Sequence, residues 1–142
     1  MVKIIKNLKL MKKIVPYKKN YIRIYFDKEC YFCSNYTKFI KIKSIGKKVE
    51  LINLRNAKNV LPWFKDNGYD IDEGMVVTID EKIFFGSKAI YILSTMLEEK
   101  SIFNRITLIF LNNQKKADFF YPYFVKARNI FLKIKNIKKI SN

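Results

Sequence analysis

Two cysteines, Cys30 and Cys33, stand three residues apart in "YIRIYFDKECYFCSN", and the 142-residue chain has no others. Their spacing allows three kinds of chemistry. They are a dithiol that can close to a disulfide, half of a metal site, or two buried thiols packing as small hydrophobes. Zinc needs about four ligands, and this chain offers no further cysteine and no histidine, so a metal reading requires a site shared between two chains. The absence of histidine also removes every Ser-His and Cys-His arrangement. Asp27, just ahead of the pair, has two readings. It is a proton acceptor for the resolving thiol, or an acid that binds the N–H groups of the turn.

The elements that must hold this pair follow from periodicity. Ile22, Ile24 and Phe26 alternate as in a strand. From Tyr31 the apolar spacing becomes helical through Cys33, Tyr36, Phe39 or Ile40, and Ile42 to Ile45, until Gly46 ends it. "VELINLR" (49–55) reads as a second strand, parallel to the first because a helix intervenes. "NAKNVLPWFKDNG" then reads as a short helix with Pro62 in its first turn. Met75 to Ile79 and Lys82 to Phe85 form a hairpin about Asp80 and Glu81. Ser87 can cap a helix whose apolar face is Ala89, Ile90, Leu93, Met96 and Leu97. The order β-α-β-α-β-β-α is that of an α/β, thioredoxin-like fold, a central mixed sheet of about four strands flanked by helices. Two further helices are expected, near Ile102 to Leu111 and from about Ala117. In the second, Phe124, Ala127, Phe131 and Ile134 are expected to face the body while Lys126, Lys133 and Lys135 stay in water. The chain thus divides into a basic extension (1–20), a core (21–100) and a C-terminal helical extension packing on the same domain (101–142).

In this frame the cysteines sit where the first strand meets the first helix. The helix N-terminus favours a thiolate at Cys30. Cys30, nearer the surface, is expected to attack a substrate disulfide, and Cys33, a turn inward, to resolve the mixed disulfide. Lys28 adds positive charge beside the pair, whereas Asp27 and Glu29 oppose thiolate formation if close.

Net charge is +17, and its distribution decides what it means. Residues 1–20 contribute +7, 21–113 only +3, and 114–142 another +7. A nearly neutral body with basic ends argues against a dedicated nucleic-acid groove. The most apolar window, "ITLIFL" (106–111), is far short of the roughly 20 residues of a membrane span. The lysine-interrupted start does not read as a secretory signal, so a cytoplasmic location is expected, peripheral to the membrane if the basic ends contact anionic lipid. Ile4, Leu8, Met11 and Val15 share one helical face ringed by lysines, which defines the alternative function: a non-enzymatic basic adaptor on anionic membrane or nucleic acid.

The spacing Asp27, Cys30, Cys33 directly after a strand resembles the DxxCxxC signature of the DCC family of thioredoxin-like thiol-disulfide oxidoreductases. "EGMVV" (73–77), "FGSKAIYIL" (85–93) and "YPYFVKARNIFLKI" (121–134) are similar to that family's middle and late motifs. The resemblance covers about residues 21–135. It implies Cys30 and Cys33 as the redox pair, Asp27 as the signature acid, and the Gly86 to Ala89 turn and Arg128 as motif positions. Gly86 is expected to serve backbone freedom and Arg128 to tie the terminal helix to the body. The chain departs from the family in having Lys28 where a glycine is usual, and in lacking the glycine that commonly closes the late motif. Tyr31 and Phe32, between the cysteines, are expected docking positions for substrate. So are Gly74 and Met75, which stand where a thioredoxin places a cis-proline. The implied partners are a protein or small-molecule thiol or disulfide and a cellular thiol-reducing system. No metal and no organic cofactor is expected.

Overall fold

The computed structural model describes residues 15–30, 34–35, 46–97 and 102–140. The helix expected after Tyr31 and the apolar face of Ile4, Leu8 and Met11 lie outside the described residues, except that Ser34 and Asn35 are helical.

Strand β1 runs Lys18–Phe26, β2 Lys48–Asn53, β3 Val76–Asp80 and β4 Lys82–Phe85. They form one sheet in the order β2-β1-β3-β4. β1 and β2 are parallel, whereas β3 is antiparallel to both β1 and β4. This is the mixed four-stranded sheet of a thioredoxin-like α/β fold, with helices against it. Alternation along β1 does the sorting. Ile22 and Ile24, with Phe26 packed behind them, join the core under the later helices, and Tyr25 joins Leu54, Phe64 and Val76 on the other face.

The body begins earlier than the alternation suggested. β1 starts at Lys18, which pairs with Asp80, and Pro16 is fully buried, its carbonyl accepting from Tyr25 Oη at 2.5 Å. β2 in turn ends sooner, at Asn53. The Asn53 side chain accepts from Arg55 N, and the chain leaves as a 3-10 turn over Leu54–Asn56. Helix α1 (Leu61–Asp66) keeps Pro62 in its first turn, where its missing N–H costs no helical bond.

Helix α2 (Ser87–Thr95) carries the expected buried stripe of Ala89, Ile90 and Leu93. Its cap differs from expectation. Gly86 occupies that position with φ +63°, and Ser87 Oγ donates to the Asp118 carboxylate at 2.5 Å, binding α2 to the last helix. Helix α3 (Ile102–Leu111) is tied to α2 by Ser94 Oγ donating to Leu111 O at 2.8 Å. Helix α4 (Gln114–Ile134) starts at an Asn113 cap, three residues before the expected Ala117. Its body-facing residues are Ala117, Arg128 and Leu132, whereas Phe124 and Ile134 are exposed. Ala127 and Phe131 are half-buried, so the buried face lies about a quarter turn from the expected one, with a buried arginine rather than an aromatic at its centre. Among the described residues no helix is long and apolar enough to cross a membrane.

Candidate functional site

Asp27 follows the last residue of β1 and is 3% exposed. A carboxylate so placed needs charge and donors around it, and the fold supplies both. Because β1 and β2 are parallel with Phe26 opposite Asn53, the residues just past their ends meet. Arg55 grips Asp27 as a fork, Nε to Oδ1 at 2.7 Å and one terminal nitrogen to Oδ2 at 3.0 Å. Glu29 N–H donates to Oδ1 at 3.0 Å. From α4, Arg128 donates to Oδ2 at 3.0 Å. Its other terminal nitrogen donates to the carbonyl of buried Asp72 and to Asn129 Oδ1. The Asp72 carboxylate in turn accepts from Ile140 N at 2.6 Å. One carboxylate thus holds together the end of β1, the turn after β2 and the C-terminal helix. Burial alone would raise the Asp27 carboxyl. The Arg55 hydrogen bonds and charge, the charge of Arg128 and the Glu29 amide together outweigh it and hold the group below the usual carboxylate range.

The turn built on Asp27 carries Cys30. Cys30 N–H donates to Asp27 O at 3.1 Å, and Cys30 O accepts from Ser34 N at 2.9 Å. That second bond joins residues four apart, the spacing of an α-helix, and Ser34 and Asn35 are helical. Its side chain is 0% exposed, which corrects the expectation that this sulfur lies near the surface. In a Cys33→Ser protein, iodoacetamide is therefore expected to label Cys30 at least about tenfold more slowly in the folded chain than in the unfolded one. Mass spectrometry over a time course measures this, and equal rates would refute the burial. Tyr31, Phe32 and Cys33 lie outside the described residues.

Gly74 and Met75 precede β3 and are covered by α4. Tyr121 Oη accepts from Met75 N at 3.3 Å and donates to Glu73 O at 3.1 Å. Met75 O accepts from Gly86 N at 2.9 Å. The Met75 backbone is used inside the chain, so docking of a substrate there requires Tyr121 to give way. A Cβ at Gly74 would stand 2.5 Å from Tyr121 Oη and 2.9 Å from Phe85 Cε2. Gly74→Ala is expected to destabilise by about 1–3 kcal/mol in urea unfolding. Adding Tyr121→Phe removes the nearer clash and recovers part of that loss, a coupling a double-mutant cycle reads directly.

Beside this region lies a cavity of about 580 Å³. Phe26, Met75, Ile90, Phe120 and Phe124 contribute apolar walls, and Asp27 and Arg128 also line it. Among the described residues no group of three His, Cys, Asp or Glu side chains could hold a metal.

The sequence reading singled out Asp27 and Arg128 without joining them, and it missed Arg55 and Asp72. Arg55 was findable: a basic residue just past one parallel strand, beside an acid just past its neighbour, is a charge pair in waiting. Asp72 joins the site partly through its carbonyl oxygen, which residue type does not reveal.

A mixed sheet in the order β2-β1-β3-β4 flanked by helices, with a cysteine just past β1, defines a thioredoxin-like protein. A family model described as DCC1-like thiol-disulfide oxidoreductase matches residues 24–133. The chain belongs to the DCC1-like thiol-disulfide oxidoreductase family, and thiol-disulfide redox chemistry is its general class of function. Neither the curated proteins nor the solved structures gave a match.

Proposed function

We propose that the chain is an enzyme that exchanges disulfides through Cys30 and Cys33. The observation that carries this reading is the place of Cys30 just past β1, where its carbonyl accepts from Ser34 N at helical spacing; a cysteine at the start of a helix is favoured as a thiolate. The Cys30 thiolate attacks one sulfur of a substrate disulfide. That S–S bond breaks, a mixed disulfide forms, and the first substrate sulfur leaves as a thiolate that takes up a proton. The Cys33 thiolate then attacks the Cys30 sulfur, releasing the second substrate sulfur. Two electrons have passed to the substrate and the chain holds a Cys30–Cys33 disulfide. A dithiol of the cellular reducing system returns it to the starting state.

Asp27 is a positioning residue in this scheme. Its oxygens are occupied by two guanidinium groups and an amide, and a carboxylate held below its usual range is a poor proton acceptor. Burial of Cys30 makes exchange dependent on uncovering the sulfur when substrate arrives, which protects the thiolate between turnovers.

Equilibration of the purified protein with reduced and oxidised glutathione, with free thiols counted after acid quench, tests the reading. The expected result is a reversible two-electron transition between dithiol and intramolecular disulfide. A chain that forms only glutathione adducts, or that does not cycle, overturns it.

A further inference from the structure

The side of α4 turned away from the body is apolar. Phe119, Tyr123, Ile130 and Ile134 are 61%, 62%, 50% and 72% exposed. Their spacings of four, seven and four residues place all four within about 60° of arc on a helix. Arg128, which reaches into the body, projects from the opposite side. Helix α3 repeats the pattern, with Ile102, Ile106 and Ile109 at 76%, 51% and 63% exposed. The two stripes meet through aromatic rings, Phe110 against Phe120 at 5.4 Å and Phe120 against Phe119 at 5.1 Å. Scattered exposed hydrophobics need no explanation, but two aligned stripes on adjoining helices form a patch that water disfavours.

Charge identifies the occupant. Lys115, Lys116, Lys126 and Lys133 are exposed and flank the α4 stripe. Residues 102–140 carry nine basic side chains and a single acid, Asp118, which already accepts from Ser87 and Gln114. A second copy docking stripe to stripe would set these lysines largely against their own kind, with Glu73, which shares a surface pocket with Lys126, Ile130 and Lys133, too few an acid to balance them. An apolar, aromatic stripe edged by lysines suits the interface of an anionic bilayer, where the rings enter the headgroup region and the lysines meet lipid phosphates and carboxylates.

We infer that the α3–α4 hairpin is a membrane-docking surface that lies flat on anionic lipid. This inference is independent of the exchange chemistry, since it concerns the side of α4 away from Asp27 and Cys30.

Sedimentation of the full chain with phosphatidylcholine vesicles, plain or containing about 30% phosphatidylserine, tests it. The expected result is binding that requires phosphatidylserine, weakens with salt, and falls at least about tenfold in a Phe119→Gln, Ile130→Gln, Ile134→Gln protein. Circular dichroism checks that this variant is folded; should it not be, Lys126→Ser with Lys133→Ser provides the second comparison and is expected to weaken binding severalfold. Three outcomes overturn the inference: no binding to phosphatidylserine vesicles, binding undiminished in the folded triple variant, or a dimer in analytical ultracentrifugation that the triple variant abolishes. The last would assign the surface to a second copy.

Discussion

Replacing Asp27 by alanine is expected to cost about 3–5 kcal/mol of folding stability, the range for breaking a buried ion pair and leaving its partner behind. Two guanidinium groups lose their shared carboxylate, one on a side chain 8% exposed and the other on one 20% exposed. Domain stabilities are about 5–15 kcal/mol, so the variant should be partly unfolded near body temperature, and urea denaturation at neutral pH measures the loss. Arg128→Met is expected to cost less, because Asp27 keeps the Arg55 fork. Acid provides a second reading. The folded Asp27 carboxyl lies below its unfolded value of about 3.9, so its contribution is complete above that value and is lost as pH falls through the lower folded one. The parent should therefore lose stability with acid more steeply below about pH 4 than Asp27→Ala does. Parallel slopes would show that the carboxylate is not held as the geometry requires.

Cys30→Ser is expected to remove all exchange activity, down to the rate of the uncatalysed reaction. A serine hydroxyl carries almost no alkoxide at neutral pH, and it cannot form the mixed disulfide on which turnover depends. Cys33→Ser should behave differently. It keeps the attacking thiolate but not the resolving one, so it should halt as a covalent adduct with substrate, visible by intact mass and released by dithiothreitol. Reduction of a model protein disulfide, followed for the parent and both variants, separates the two roles. A Cys30→Ser protein that works at the parent rate would discard the proposed mechanism, and an adduct appearing on Cys33 instead would reverse the assignment. Both variants should fold, since Cys→Ser changes volume little. Cys30 is buried, however, so its hydroxyl needs a partner, and a modest stability loss is expected there alone.

Much of the fold was legible because strands and helices leave a period in the sequence. Ile22, Ile24 and Phe26 announced β1, Asp80 and Glu81 the hairpin, and Ala89, Ile90 and Leu93 the buried face of α2. Helix α4 resisted the same logic. Apolar residues occupy both of its sides, so periodicity alone could not say which side met the sheet, and a buried Arg128 is invisible to a hydrophobic pattern. The site was half legible for a related reason. The spacing of Asp27, Cys30 and Cys33 is local and can be read along the chain. The grip of Arg55 and Arg128 on Asp27 joins residues 28 and 101 positions apart, and needs the strand pairing and the helix docking to be known first.

That separation sets an order of events. During synthesis, at about 5–20 residues per second, β1 and β2 emerge early and can bring Arg55 to Asp27. Arg128 follows some seventy residues after Arg55, and once made it must still clear the ribosome and close a long loop before α4 can dock. Until then Asp27 has the Arg55 fork but not the bond from Arg128 to Oδ2, and the turn bearing Cys30 is not yet tied to the last helix. The turn bearing Cys30, made well before Arg128, is among the last parts of this fold to become rigid.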